Sequence, residues 1–355
     1  MMKFGWDFFP DRGPDTKSPE QYYKEALDLT EEADQLGFHS VKMVEHYIYA
    51  YGGYCPNPLI FLAAAAQRTI NMKLITGCVL PAFSHPVKLA AECAMVDAIS
   101  GGRLEVGFAR AFIPGEFEAF GVPMDESRVR FDEGIAAIQE LWTKEKATYK
   151  GSNYSFENVT SLPQTTQKPY PPTWIAVVAT PASYEWAGKM GHNLMVVPYL
   201  GDYAELKEHI DLYRKAYREN GHGEVTPDNI MMVLHTYVAD SQEEAYAVAK
   251  PATESYISVF KEAASSWNTT TSKDYLKYNA LPAMLDEMTF DKVASEKRGA
   301  FGTPDQVYET IKEVTDYFGC GHLTLQMFFG GITYEQSRRS MKKFAAEVMP
   351  RFARG

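Results

Sequence analysis

The sequence of 355 residues predicts an α/β fold, specifically a (β/α)8 TIM barrel with insertions. Strand-like and helix-like patterns alternate from the first residues to the last, and eight strand-like runs each precede a helix-like run. No glycine-rich dinucleotide-binding fingerprint follows any of these strands, which disfavours the alternative of an open, doubly wound sheet. The nearest candidate, Gly319-Cys320-Gly321, lacks the third glycine and precedes a strand. We therefore predict one barrel domain over residues 1–355, without a nicotinamide dinucleotide site.

The predicted strands are short runs rich in apolar, β-branched and aromatic residues. They cover residues 3–8, 41–44, 72–80, 103–108, 173–179, 193–197, 230–239 and 322–328. The predicted helices have apolar residues at three- and four-residue spacing, and the first begins after Ser18-Pro19-Glu20 and ends at Gly37. They cover residues 22–36, 57–69, 85–99, 126–142, 182–190, 203–219, 242–261, 303–318 and 334–352.

Two segments do not follow the alternation. Residues 148–172 carry aromatic residues separated by polar ones and end in a proline-rich run, so we predict a small β excursion there. Residues 264–302 have weak periodicity and contain the polar run 268–272. An irregular stretch of this length is typical of a functional loop or a disordered segment, and we predict that it forms a mobile lid.

Composition and charge exclude several classes of function. The 35 Lys and Arg residues stand against 46 Asp and Glu residues, and the formal net charge of −11 argues against nucleic acid and anionic membranes as partners. No apolar run is long enough for a membrane span, and the N-terminus leads into a strand without a signal peptide. The four cysteines show no metal-binding or disulfide spacing, so we expect no metal and a cytoplasmic protein.

The second predicted strand ends in a group of residues suited to chemistry. Val41 to Val44 is followed by Glu45 and His46, and then by an aromatic loop around Gly52 and Gly53. The carboxyl ends of barrel strands are where such folds place catalytic side chains. The alternative is that His46 is a structural loop histidine.

Ten short motifs, in order along most of the chain, resemble those of the bacterial luciferase-like flavin-dependent monooxygenases. They are VEHY (44–47), GYCPNP (53–58), VLPAFSHP (79–86), DAISGGR (97–103), GFAR (107–110), FG (120–121), ESR (126–128), VVATPASYEWA (177–187), GTP (302–304) and MKKFAAEVMP (341–350). Each motif is weak alone, but their order and spacing together are specific. The resemblance implies a (β/α)8 barrel that binds a flavin.

The resemblance implies a catalytic role for His46, with Glu45 beside it. The family uses the matching histidine as an acid/base next to the flavin, and imidazole suits this role because its ordinary pKa lies near neutrality. Family members often have a second histidine next, where this chain has Tyr47. This departure leaves flavin peroxide chemistry in place but argues against light emission.

The resemblance also assigns residues to the cofactor. Arg110 and Arg128 match positions that hold the flavin phosphate, although a surface ion pair with nearby acids is the alternative. Thr180 and Ser183, at a predicted helix start, match further phosphate contacts, or they are plain capping residues. Two further positions match contacts of the isoalloxazine ring. They are Gly77, in a strand where the family sometimes has a non-proline cis peptide, and Tyr199.

The implied activity is that of a two-component, FMN-dependent monooxygenase. Reduced FMN from a separate flavin reductase and O2 would form a flavin peroxide that oxygenates a small or medium organic substrate. A deazaflavin (F420)-dependent oxidoreductase and a non-catalytic flavin-binding or partner subunit are the alternatives. Small apolar residues over most of the second and third helices predict a homodimer, with a related second subunit as the lesser alternative.

Overall fold

The protein, seen in a computed structural model that describes residues 1–353, contains eleven strands and twelve α-helices within that range. The strands are β1 (Lys3–Phe8), β2 (Ser40–Met43), β3 (Lys73–Thr76), β4 (Leu104–Phe108), β5 (Ala147–Lys150), β6 (Ser155–Val159), β7 (Thr173–Val177), β8 (Asn193–Val196), β9 (Ile230–Val238), β10 (Gly299–Gly302) and β11 (His322–Gln326). The helices are α1 (Pro19–Gln35), α2 (Pro58–Ala66), α3 (Pro86–Ile99), α4 (Pro114–Phe120), α5 (Ser127–Thr143), α6 (Pro181–Lys189), α7 (Tyr203–Glu219), α8 (Gln242–Ala264), α9 (Leu281–Asp286), α10 (Phe290–Ser295), α11 (Pro304–Phe318) and α12 (Tyr334–Lys343).

Eight parallel strands close into a barrel. Their order is β1-β2-β3-β4-β7-β8-β9-β11, and pairing of β8 with β9 and of β11 with β1 completes the circle. Each barrel strand precedes at least one helix, so all strand C-termini lie at the same end of the barrel. The predicted (β/α)8 fold is confirmed, and the eight predicted strands are the eight barrel strands.

Strand alternation divides the side chains between an outer and an inner core. Trp6 and Phe8 on β1, and Val41 on β2, are fully buried with helix residues in the main core cluster. Fully burying such a side chain contributes roughly 1.5–3 kcal/mol to stability. Inside the barrel, a separate buried cluster joins Ile75, Cys78, Trp174, Met195 and Met231 from four strands and fills its middle.

The helices begin where the sequence signals a start. Proline is the first residue of α1, α2, α3, α4, α6 and α11, a position where its missing N–H costs no hydrogen bond. Ser18 and Asn57 cap α1 and α2 through their side chains, and Thr303 with Gln306 forms a capping box on α11. These caps fix where each crossover leaves the barrel rim, and hence where the rim side chains lie.

The structure departs from the prediction at several boundaries. The predicted strand 72–80 is too long, because β3 ends at Thr76, before the Gly77–Cys78 peptide, which is cis. The connection after β4 contains α4, which sequence periodicity did not reveal because the helix has only 7 residues. The predicted helix 334–352 ends as an α-helix at Lys343 and continues as a π-helical and a 3₁₀ turn.

The two irregular segments contain regular structure. Strands β5 and β6 pair antiparallel within the region of the predicted β excursion. The segment 264–302 consists of short helical turns and ends in β10, which pairs in parallel with the second half of β9 and is fully buried. The sequence Gly-Ala-Phe-Gly of β10 has too little side-chain pattern to indicate a strand. Within residues 1–353, no helix is long and apolar enough to cross a membrane.

Candidate active site

A cavity of about 500 Å³ opens at the C-terminal end of the barrel. Its volume lies within the range of pockets that hold small molecules and cofactors. All eight residues predicted from the sequence line this cavity: Glu45, His46, Gly77, Arg110, Arg128, Thr180, Ser183 and Tyr199. The fold therefore brings together residues from the ends of several strands.

His46 is held by a buried carboxylate from another element. The distance between His46 Nδ1 and Glu116 Oε1 is 3.0 Å, and the same oxygen accepts the Tyr47 backbone N–H at 2.8 Å. Glu116, on α4, is completely buried. A carboxylate only accepts hydrogen bonds, so in the neutral imidazole Nδ1 carries the proton and Nε2 keeps its lone pair. The arrangement leaves one ring nitrogen of a cavity-lining histidine free to give or take a proton.

Glu45 lies in a different electrostatic environment. Its Oε1 accepts a hydrogen bond from the Tyr47 hydroxyl at 2.6 Å, and its Oε2 accepts the Leu80 N–H at 3.3 Å. Burial raises the pKa of Glu45 to about 8, against the opposing effect of these hydrogen bonds. Burial therefore favours the protonated form of Glu45, and the Tyr47 hydroxyl holds its carboxyl group in place.

Two guanidinium groups form one end of the cavity. Arg110 follows β4, donates to the Asp274 carbonyl at 3.3 Å and lies over the Tyr275 ring at 4.6 Å. Arg128 is on α5, and its nearest acid within residues 1–353, Asp132, is 4.0 Å away. Burial lowers the pKa of Arg128 and the positive charge of Arg110 lowers it further, so the two cations are close enough to repel each other. This pair suits an anion with several oxygens.

The start of α6 adds hydroxyl groups to this end. Ser183 Oγ accepts a hydrogen bond from Arg128 Nη2 at 2.7 Å. Thr180 is the N-cap residue of α6, but its side chain makes no capping hydrogen bond and is free for another partner. The N-terminus of a helix favours negative charge because its first N–H groups point outward. Two cations, two hydroxyls and a helix N-terminus together match the chemistry of a phosphate monoester.

Gly77 and Tyr199 line other walls. A β-carbon on Gly77 would lie 2.4 Å from Lys42 Cγ, so only glycine lets the Lys42 side chain pass beneath this backbone. Tyr199 shares a hydrogen bond with Tyr256 across 3.0 Å between the two hydroxyl oxygens, and its ring stacks on His235 at 5.2 Å. Its ring is therefore fixed before any ligand arrives.

Part of the predicted lid covers the cavity. Residues 275–281 line it above the guanidinium groups. The Tyr275 hydroxyl donates to the Ala111 carbonyl at 2.8 Å, and the Trp267 indole N–H donates to the Phe112 carbonyl at 3.0 Å. Leu276, by contrast, is 79% exposed. The first part of the segment is thus hydrogen-bonded to the connection after β4, while the neighbouring Leu276 is exposed, and the mobility of the segment stays a prediction.

Sequence reasoning missed four polar residues of the site. Glu116 gave no signal, because nothing in the sequence brings it next to a histidine 70 residues earlier. Glu116 acts behind His46, whereas Asp7, Lys42 and Gln326 line the cavity itself, and all three are buried. Asp7 and Lys42 each lie between two apolar residues of a buried strand, so they had to point into the barrel. That alternation was a usable signal.

The amino-acid sequence matches known proteins along nearly its whole length. Residues 2–319 match the model of the luciferase-like monooxygenase family. The oxygenase component of a flavin-dependent trigonelline monooxygenase from Acinetobacter baylyi is 31% identical over 361 residues, covering 99% of this chain and 96% of that protein.

Solved structures agree with these matches. A monooxygenase, RslO1 from Streptomyces bottropensis, has a TM-score of 0.89 and 42% identity, covering 99% of this chain and 100% of that one. Two structures share the fold at lower identity. They are the oxygenating constituent of 3,6-diketocamphane monooxygenase from Pseudomonas putida in complex with FMN (TM-score 0.82, 20% identity, covering 99% and 98%) and an F420-dependent tetrahydromethanopterin reductase from Methanopyrus kandleri (TM-score 0.68, 17% identity, covering 99% of each). The chain therefore belongs to the luciferase-like monooxygenase family, as its motifs predicted, and is an enzyme of that family.

Proposed function

We propose that the protein is the FMN-dependent oxygenase component of a two-component monooxygenase, which uses reduced FMN and O2 to oxygenate a small or medium organic substrate. The observation that carries this proposal is the arrangement of one cavity. An anion site built on Arg110 and Arg128 lies at one end, and His46, held by Glu116, lines another wall.

The residues present fit FMN. The phosphate matches the donor set of Arg110, Arg128, Thr180 and Ser183, which supplies charge-assisted hydrogen bonds and a helix N-terminus. Gly77, which the motifs match to a ring contact, lines the same cavity, so a flavin whose phosphate lies at the arginines can extend its ring toward it. A cavity of about 500 Å³ also leaves space for a substrate of modest size.

When bound, reduced FMN supplies the electrons that activate O2. The protein's own residues bind the cofactor, transfer the proton and exclude water. Arg110 and Arg128 bind the phosphate and fix the cofactor, and His46 Nε2 accepts or donates the proton that accompanies oxygen transfer. Glu116 orients the imidazole, and Tyr275 with the other cavity-lining residues of the 264–302 segment excludes water from the site.

A separate flavin reductase would supply the reduced cofactor. The name of the trigonelline relative, an oxygenase component, supports this division of labour. The proposal predicts that the protein alone does not oxidise NADH or NADPH, and that adding it to an unrelated flavin reductase with FMN changes the rate at which reduced FMN reacts with O2, compared with the reductase and FMN alone. Oxidation of a nicotinamide cofactor by the pure protein would contradict it.

A deazaflavin-dependent oxidoreductase is the second candidate, because the fold is shared with an F420-dependent reductase. Anaerobic titration with FMN, reduced FMN, F420 and reduced F420 separates the two. We expect micromolar binding of reduced FMN and none of F420, and the reverse result would establish the second candidate. A non-catalytic subunit would bind flavin but would not alter the rate at which reduced FMN reacts with O2.

We further propose a homodimer formed through α2 and α3. Four large apolar side chains on or next to these helices are exposed: Ile60 (71%), Ile70 (81%), Met95 (50%) and Ile99 (41%). Such a patch on a barrel exterior is typical of an interface. The Ala64→Glu and Ala91→Glu double variant is expected to be monomeric in sedimentation. A wild-type protein that is monomeric at micromolar concentration would contradict the proposal.

The cytoplasm is the proposed location. All four cysteines within the described residues are unpaired and buried. Free thiols in this number are typical of a reducing compartment. Fractionation of cells that produce the protein checks this location.

A further inference from the structure

Three polar side chains lie side by side on the floor of the cavity. Asp7 on β1 is in register with Lys42 on β2, and the pairing of Trp6 with Leu325 places Gln326 on β11 level with Asp7. All three line the cavity, and their exposures are 1%, 7% and 1%. Because residues in register on parallel strands point to the same side, the three groups face the cavity as one row.

Beside the Asp7 carboxylate, the row has hydrogen-bond donors to spare. Lys42 Nζ forms an ion pair with Asp7 Oδ1 at 2.8 Å, which leaves at least two of its three N–H groups for another partner. Gln326 Nε2 is buried and has no hydrogen-bond partner within residues 1–353. A buried donor without a partner is unfavourable, so a row that leaves several is suited to a ligand that accepts hydrogen bonds.

The position of Lys42 indicates which ligand this is. Its side chain runs beneath Gly77, where a β-carbon would lie 3.3 Å from Nζ. Among the described residues, the other Lys and Arg side chains that line the cavity are Arg110, Arg128 and Lys277. The two arginines form the proposed phosphate site, and Lys277 is 59% exposed and paired with Glu205. Lys42 is thus the buried cation available to a ring at Gly77.

We propose that Lys42 and Gln326 form a subsite for the carbonyl-bearing edge of the flavin ring, and that this subsite favours the reduced, anionic ring over the oxidised one. The inference rests on the proposed function. Reduced flavin at neutral pH carries a negative charge spread over N1 and the C2 carbonyl, and a nearby cation stabilises that form. Asp7 holds Lys42 in this position, so it acts as a positioning residue.

The test compares two charge-neutral double variants. Lys42→Met with Asp7→Asn removes the buried pair without leaving one charge unpaired, which would be strongly destabilising. Lys277→Met with Glu205→Gln removes an exposed pair from the same cavity and is the matched control. Dissociation constants for FMN and for photoreduced FMN are measured anaerobically, together with the midpoint potential of the bound flavin.

We expect the buried-pair variant to lower the preference for reduced FMN about tenfold, which corresponds to a potential about 30 mV more negative for a two-electron couple. The control is expected to change both dissociation constants by the same factor. Gln326→Leu should lower the preference about threefold, and it carries the test if the double variant does not fold.

Other outcomes overturn the inference. If the preference for reduced over oxidised FMN is unchanged in both the double variant and Gln326→Leu, these residues do not form a flavin subsite. If that preference is unchanged while binding of benzoate is lost relative to benzyl alcohol, the row serves the substrate and the flavin assignment is wrong. Failure of the wild-type protein to bind either form of FMN would instead refute the proposed function, which keeps the two failures distinct.

Discussion

The cavity has a guanidinium end, formed by Arg110 and Arg128, and a histidine wall, formed by His46, Glu116 and Glu45. The two regions differ in how the charge of their side chains is controlled. Arg110 and Arg128 are permanent cations, and the Arg128 side chain keeps 24% of its surface exposed. Glu116, which holds His46, has no exposed surface, and Glu45 has its pKa raised by burial to about 8. Water partly screens the charge at the guanidinium end, whereas burial away from water controls the charge of the groups in the histidine wall.

From this contrast we expect the guanidinium end to bind the cofactor and the histidine wall to carry out proton transfer. Permanent, partly hydrated cations attract an anion over a distance without a proton leaving or arriving. The buried groups have protonation states that depend on their surroundings, as proton transfer requires. If the division holds, substitutions at the guanidinium end change affinity for the cofactor, and substitutions at the histidine wall change what happens after it binds.

The largest expected effect on cofactor affinity is at the guanidinium end. Arg110→Ala and Arg128→Ala should each weaken FMN binding about ten- to hundredfold, because each loss of a charge-assisted contact costs roughly 1.5–3 kcal/mol. Fluorescence titration with FMN measures the affinity. The matched control is Arg130→Ala, on the same helix but paired with Glu126 and outside the cavity. Unchanged FMN affinity in both cavity variants would mean that Arg110 and Arg128 do not bind the phosphate.

The next effect concerns the histidine wall. His46→Ala should bind FMN within about threefold of wild type yet lose its proton-transfer group, a loss typically worth 10²–10⁴-fold in rate. We expect reduced FMN bound to the variant to react with O2 and release hydrogen peroxide, measured with peroxidase, without oxidising substrate. A variant that oxidises substrate at the wild-type rate would make His46 a structural residue.

Substitution of Glu116 tests whether its orientation of the His46 ring matters for substrate oxidation. Glu116→Gln keeps a side chain of the same shape but removes the charge beside His46 Nδ1. We expect a smaller loss of coupled oxidation than in His46→Ala, with FMN affinity unchanged. Glu118→Gln, exposed on the same helix, is the control and should behave as wild type.

The raised pKa of Glu45 predicts a pH-dependent stability. Its folded-state pKa of about 8 lies above the ordinary value of 4.5, so the folded protein holds a proton that the unfolded chain releases between these values. Stability from this group is complete below pH 4.5 and is lost as the pH rises through about 8. The effect is of the order of a few kcal/mol.

Glu45→Gln removes that dependence. The difference in unfolding free energy between variant and wild type should increase in favour of the variant from pH 5 to pH 9, measured by urea denaturation. Subtraction cancels the other titrating groups. A difference that is flat with pH would mean that Glu45 is ionised in the folded protein, and the histidine wall would then be less desolvated than its burial indicates.

The same contrast explains how much could be predicted from sequence. The barrel follows from the periodicity of the local sequence. The guanidinium end was predicted from the resemblance of short motifs at a strand end and at helix starts to those of the family. Glu116, the partner of His46, lies on a 7-residue helix that has no detectable pattern. Strand β10, with two glycines among its four residues, joins the sheet only because the second half of β9 offers an edge. Such contacts depend on tertiary structure and leave no mark in local sequence.

The smallest expected effect concerns the segment 264–302, which covers the guanidinium end. Lys273 and Lys277 are exposed in its middle, whereas Lys297 and Arg298 precede the buried strand β10. Trypsin should therefore cut first at the former pair, because local opening is easiest where few buried contacts hold the backbone. Mass spectrometry of early fragments distinguishes the two pairs of sites within one experiment.

Ligand protection then sharpens the comparison between the two ends. Tyr275 packs against Arg110, so a phosphate held by the arginines should also favour the closed segment. We expect FMN to slow cleavage at Lys273 and Lys277 several-fold in wild type and in His46→Ala, but not in Arg110→Ala. If FMN still protects the segment from trypsin in Arg110→Ala, closure of the segment does not depend on phosphate binding at Arg110. Uniform resistance of the free protein would mean that the segment is a packed insertion, and water would then be excluded without a moving lid.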